Sequence, residues 1–70
     1  MEILVRLGIN YFPSLRIQVY PYSLTNLTNT TLPTHKLGIK YWLNDQPPIT
    51  VEDFDSLDEV NDYVNKYLLH

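Results

Sequence analysis

Seventy residues without a cysteine have room for one domain around one small core, and leave no disulfide framework and no thiolate metal site. That composition favours an intracellular protein, and with no run near the roughly 20 apolar residues needed to cross a bilayer, the chain is expected to be soluble, uncleaved and without a membrane partner. The net charge of −3 hides a polarity: residues 1–44 carry Arg6, Arg16, Lys36 and Lys40 against Glu2, a balance of +3, whereas residues 45–70 carry Asp45, Glu52, Asp53, Asp55, Asp58, Glu59 and Asp62 against Lys66, a balance of −6.

From Glu2 to Asn10 the apolar residues alternate, which predicts a half-buried strand with Ile3, Val5, Leu7 and Ile9 inward and Leu4, Arg6, Gly8 and Asn10 outward. A turn around residues 11–14 leads to a second strand over Leu15–Tyr20, with Leu15, Ile17 and Val19 inward and Arg16, Gln18 and Tyr20 outward, paired with the first as a hairpin. Pro21 lacks the N–H a ladder needs, so this strand either ends there or lies at an edge. Residues 23–34, SLTNLTNTTLPT, have no period and read as a long, mobile hairpin loop. The third strand spans Lys36–Leu43, with Leu37, Ile39, Tyr41 and Leu43 inward and Lys36, Gly38, Lys40 and Trp42 outward.

Residues 44–48 form a turn, and Ile49–Phe54 supplies a short fourth strand with Ile49, Val51 and Phe54 inward. Ser56 and Glu59 then match the S-x-x-E capping box that opens a helix, predicted over residues 56–69. Leu57, Val60, Val64, Tyr67 and Leu68 recur at spacings of three and four and make its apolar stripe. The expected architecture is a single α+β domain, β-β-β-β-α over residues 1–70: an antiparallel three- to four-stranded sheet within residues 2–54, with one C-terminal helix packed on one face. A fold this small gains from a partner, and the uncovered sheet face is the place for one, through homodimerisation or docking on something larger.

Catalysis finds little support in the sequence, which lacks a Gly-rich phosphate loop, an H-E-x-x-H, a G-x-S-x-G and a cysteine nucleophile. No cofactor or metal site is expected. His35 and His70 have no ligand-spaced partner, and the acidic run from Glu52 to Asp62 lacks the alternating ligands and central glycine of a calcium loop. The sequons at Asn26 and Asn29 read as chance in an Asn/Thr-rich loop. What stands out is the outward face: Tyr20 and Trp42 among Arg6, Arg16, Gln18, Lys36 and Lys40 could anchor a protein partner, or stack single-stranded bases while the cations meet phosphates. The acidic balance of the whole chain tells against nucleic acid at long range.

Ile17-Gln18-Val19-Tyr20, followed by Asp53-Phe54-Asp55-Ser56 leading into an acidic amphipathic helix, resembles the small β-sheet-plus-helix type I-F anti-CRISPR proteins of phages. The resemblance follows the order of elements over most of the chain but only a handful of identities. It implies a phage or mobile-element inhibitor in the host cytoplasm whose sheet face docks on the backbone subunits of a CRISPR surveillance complex, with Tyr20 at one of the tyrosine contact positions. The chain departs from that pattern in its longer loop 23–34 and in Arg6, where an aromatic would stand. The expected function is therefore non-enzymatic docking on a host protein or nucleoprotein complex. A single-stranded nucleic-acid binder or a dimeric, antitoxin-like regulator is the alternative.

Overall fold

The computed structural model describes residues 3–24 and 34–69. Four strands, β1 (Gly8–Phe12), β2 (Leu15–Leu24), β3 (Thr34–Leu43) and β4 (Ile49–Phe54), form one antiparallel sheet in the order β1-β2-β3-β4, followed by the helix α1 (Leu57–Tyr63) and a π-helical turn, Val64–Leu68. The α+β architecture is the one the periodicities predict. β2 and β3 extend to Leu24 and Thr34, into the margins expected to be loop; the rest of that segment, residues 25–33 with both sequons, lies outside the described residues, as does His70. β2 continues past Pro21, which sits beyond the last β1 pair, Gly8–Val19, where β2 has a neighbour on one side only.

The first strand is the main correction. It starts at Gly8 rather than Glu2, and residues 3–7 cross to the helix as an extended strap. Gly8 has φ +100, a conformation that residues with a Cβ rarely adopt, and the chain turns there. A strap without a neighbouring strand still has buried backbone polar groups to satisfy, and asparagine side chains do this. Ile3 N–H donates to Asn65 Oδ1 (2.9 Å) and Asn65 Nδ2 donates to the Ile3 carbonyl (2.9 Å). Asn61 treats Val5 the same way, at 2.6 and 3.5 Å, and Asn10 grips Arg6, at 3.0 and 2.8 Å. Asn61 and Asn65 stand one helical turn apart, so they meet alternate residues of the strap.

The break at Gly8 also reverses the facing of the first strand. β1 pairs Gly8, Asn10 and Phe12 with Val19, Ile17 and Leu15, so these three share the covered side and Phe12 packs on the core. Leu7 and Ile9, expected inward, are exposed. The core is Val5, Leu15, Ile17, Val19, Ile39, Tyr41, Phe54, Val60 and Val64, each of them an inward position of the sequence pattern. Val51 and Phe54 both face it although two residues lie between them, because a bulge around Glu52 and Asp53 inserts one residue against β3 between Leu37 and Ile39.

The capping box forms in part: Ser56 Oγ accepts from Glu59 N–H (3.3 Å), and Glu59 Oε2 accepts from Asp55 N–H (3.1 Å), one residue before the cap itself. Beyond Tyr63 the turns widen, with Leu69 N–H donating to the Val64 carbonyl at 3.0 Å. The wider turn brings Leu68 and Leu69 against the core and rotates Tyr67, expected inward, out to solvent, where its ring centroid lies 5.0 Å from that of Tyr63. Among the described residues no helix is long and apolar enough to cross a membrane.

Candidate functional site

With the strap and helix on one side, the other side of the sheet is uncovered. Alternation and register arrange its side chains in rows that run across the strands. Tyr11, Arg16 and Trp42 form one row; Ile9, Gln18, Lys40 and Thr50 the next; Tyr20 with Gly38, and Tyr22 with Lys36, follow. Of the outward residues proposed from sequence, Arg16, Gln18, Tyr20, Lys36, Lys40 and Trp42 are therefore together. Arg6 is not among them: it is exposed on the strap, outside the sheet, because the first strand begins two residues later.

Two different surfaces share this face. At one end the Arg16 guanidinium lies over the Trp42 ring, 4.1 Å from its centroid, and Lys40 Nζ approaches the same ring at 5.9 Å. A guanidinium over an indole face rests its charge on the ring's quadrupole. Among the described residues no carboxylate lies within ion-pair distance of Arg16 or Lys40. Both charges remain available to a partner.

At the other end the cation and the phenols are already engaged. The Tyr20 ring lies over Gly38, where a Cβ would sit only 2.7 Å from the ring's Cζ, and its hydroxyl reaches across β3 to donate to Glu52 Oε2 at 2.7 Å. Burial, and then that carboxylate, push the Tyr20 phenol up to about 12. The Tyr22 hydroxyl makes the same crossing and accepts from the N–H of Asp53, at 2.8 Å. Asp53 has φ +79 inside the bulge, so Tyr22 satisfies the backbone group that the irregular ladder leaves over. Lys36 pairs with Asp53 (3.3 Å) and Asp55, whose hydrogen bonds raise its pKa.

Sequence reasoning missed Ile9, Tyr11, Tyr22, Glu52, Asp53 and Asp55 as members of this face. The i, i+2 spacing of Tyr20 and Tyr22 was the available signal for one of them. The three acids arrive through β4 pairing and the bulge, which no local pattern announces. Comparisons with protein-family models, curated proteins and solved structures find no match to this chain.

Proposed function

We propose that this protein is a non-enzymatic docking module that binds a partner protein through the Arg16–Trp42–Lys40 end of its open sheet face. The observation that carries the reading is the guanidinium stacked on an indole on an uncovered sheet, beside exposed Tyr11 and Ile9. Arginine, tryptophan and tyrosine are the residue types that anchor protein interfaces, because each combines a large apolar area with a directed polar group. A partner surface with carboxylates around an apolar patch would meet donors at the edge of Arg16 and Lys40 and contact area on the rings. In the finer form of the proposal the partner is a host nucleoprotein machine, a CRISPR surveillance complex in the cytoplasm, and the protein is its phage or mobile-element inhibitor. That form rests on the resemblance in the Ile17–Tyr20 and Asp53–Ser56 segments.

Single-stranded nucleic acid is the weaker reading. The Arg16–Trp42 stack suits a base platform, but Glu52, Asp53 and Asp55 stand at the other end of the same face, where a strand following the sheet would bring its phosphates. Titrating labelled protein against a purified surveillance complex, and separately against oligonucleotides over a salt series, tests both. Docking predicts that Arg16→Ala/Trp42→Ala weakens complex binding by at least about tenfold, the scale of an anchor pair. Micromolar oligonucleotide affinity that falls steeply with salt would replace the docking reading with the nucleic-acid one.

A further inference from the structure

The two edges of the sheet are built differently. β4 carries Glu52 and Asp53, is distorted by the bulge, and starts directly after Pro47 and Pro48. Charge, irregularity and flanking proline are the features that keep an edge strand from recruiting another. β1, with the sequence GINYF, has no charge, no proline and no bulge against β2. β1 also carries two exposed large apolar side chains, Ile9 (55% exposed) and Tyr11 (72%), with Leu7 (58%) just before it on the strap. Single exposed apolar residues are ordinary, but neighbouring ones on an uncharged open edge strand mark an interaction surface.

The ladder shows which backbone groups that edge offers. A two-residue loop, Pro13 and Ser14, separates Phe12 from its partner Leu15, which makes them a mutually bonded pair. Alternation then turns the N–H and C=O of Phe12, Asn10 and Gly8 toward β2, and those of Ile9 and Tyr11 toward the open edge.

We propose that β1 pairs antiparallel with β1 of a second copy of this chain, about a two-fold axis at Asn10, joining the two sheets into one. This register, Ile9 against the partner's Tyr11 and the reverse, is the symmetric one that keeps all five residues Gly8–Phe12 paired. It uses the outward backbone groups of Ile9 and Tyr11 in both copies. On the open face it sets two cross-strand pairs of a β-branched residue and an aromatic, a favourable combination. The strand is its own complement, which is the reason for choosing a second copy over an unrelated peptide. Because β1 is uncharged, two copies of a chain with net charge −3 bring no like charges into the paired strip. Five residues a side is small against the roughly 20–30 of a standard interface, so the association should depend visibly on concentration. The pairing is independent of the docking reading, but it would place two Arg16–Trp42–Lys40 clusters on the same face of one sheet.

Sedimentation equilibrium from micromolar to millimolar concentration is the test, with a mass rising toward twice that of the chain as the expected result. Ile9→Lys/Tyr11→Lys sets like charges against each other across the axis, as does Ile9→Glu/Tyr11→Glu. Each variant alone should stay monomeric, and an equal mixture of the two should dimerise, because every lysine then faces a glutamate. Amide exchange on the unsubstituted chain gives a second readout that needs no variant: the Ile9 and Tyr11 amides should slow as concentration rises. A wild type that stays monomeric throughout, a dimer that survives in both variants, a mixture that fails to associate, or amides indifferent to concentration would each overturn the pairing.

Discussion

Asn61 holds the backbone of Val5 with both ends of its carboxamide: its Oδ1 accepts from Val5 N–H at 2.6 Å and its Nδ2 donates to the Val5 carbonyl at 3.5 Å. One side chain thus does for Val5 what an adjacent strand would do, and lets an apolar segment be buried without a sheet neighbour. The same Nδ2 also donates to the Leu57 carbonyl at 3.0 Å, which fixes the amide's orientation on the helix. Val5 is therefore part of the core, with Ile3 packed against it, both tied to a helix some 60 positions away.

Replacing Asn61 by alanine leaves both Val5 groups buried without partners. We expect a loss of about 2 to 6 kcal/mol for Asn61→Ala, from roughly 1–3 kcal/mol for each of the two stranded polar groups. Asn65→Ala should cost about 1 kcal/mol, because water reaches the part-buried Ile3 groups. Urea unfolding of the two variants measures the difference, and equal losses would contradict the different burial of the two clamps.

Gly38 and Tyr20 make a second prediction. A Cβ at position 38 would lie 2.7 to 2.8 Å from the Tyr20 ring and hydroxyl, so Gly38→Ala should displace the phenol from Glu52. Its pKa should then fall from about 12 toward the ordinary 10. The change in stability should stay within about 1 kcal/mol, since relief of the strand glycine offsets the lost hydrogen bond. Ultraviolet titration of the six tyrosines reads the first effect and denaturant unfolding the second.

Alkaline pH should destabilise the fold through the same group. The folded protein keeps the Tyr20 proton at pH values where the unfolded chain has released it, so unfolding releases a proton and is favoured as pH rises from 10 toward 12. Tyr63, raised chiefly by burial, and Lys36, raised by its hydrogen bonds to Asp55 and Asp53, act in the same sense. Tyr20→Phe should flatten the fall. A midpoint whose pH dependence is unchanged by that substitution would rule out Tyr20 as a source of it.

The reversal at Gly8 can be tested with two isoleucines. Ile17 is fully buried and Ile9 is 55% exposed, although the alternation of their two segments reads both as inward. Ile17→Ala should cost about 2 to 5 kcal/mol, and Ile9→Ala, measured at low protein concentration, no more than about 0.5 kcal/mol. Comparable losses would place Ile9 back in the core.

Taken alone, the sequence determined the centre of this protein: the alternation of residues 15–20 and 36–43, the start of the helix at Ser56, and every apolar residue of the core are readable from it. Period and capping suffice there because burial on one side of a strand or helix is a local pattern repeated along the chain. Tertiary structure decided the margins. Ile3, Val5, Leu7 and Ile9 look like one strand until Gly8 turns with positive φ, and the residues that take the strand's place, Asn61 and Asn65, are some 60 positions away. The split of the open face likewise depends on β4, whose pairing with β3 returns part of the acidic half of the sequence to Lys36 and Tyr20 and, among the described residues, brings no carboxylate within ion-pair distance of Arg16 or Lys40. Periodicity reports which side chains avoid water. Which distant group satisfies a backbone amide or neutralises a charge is set only when the chain closes on itself.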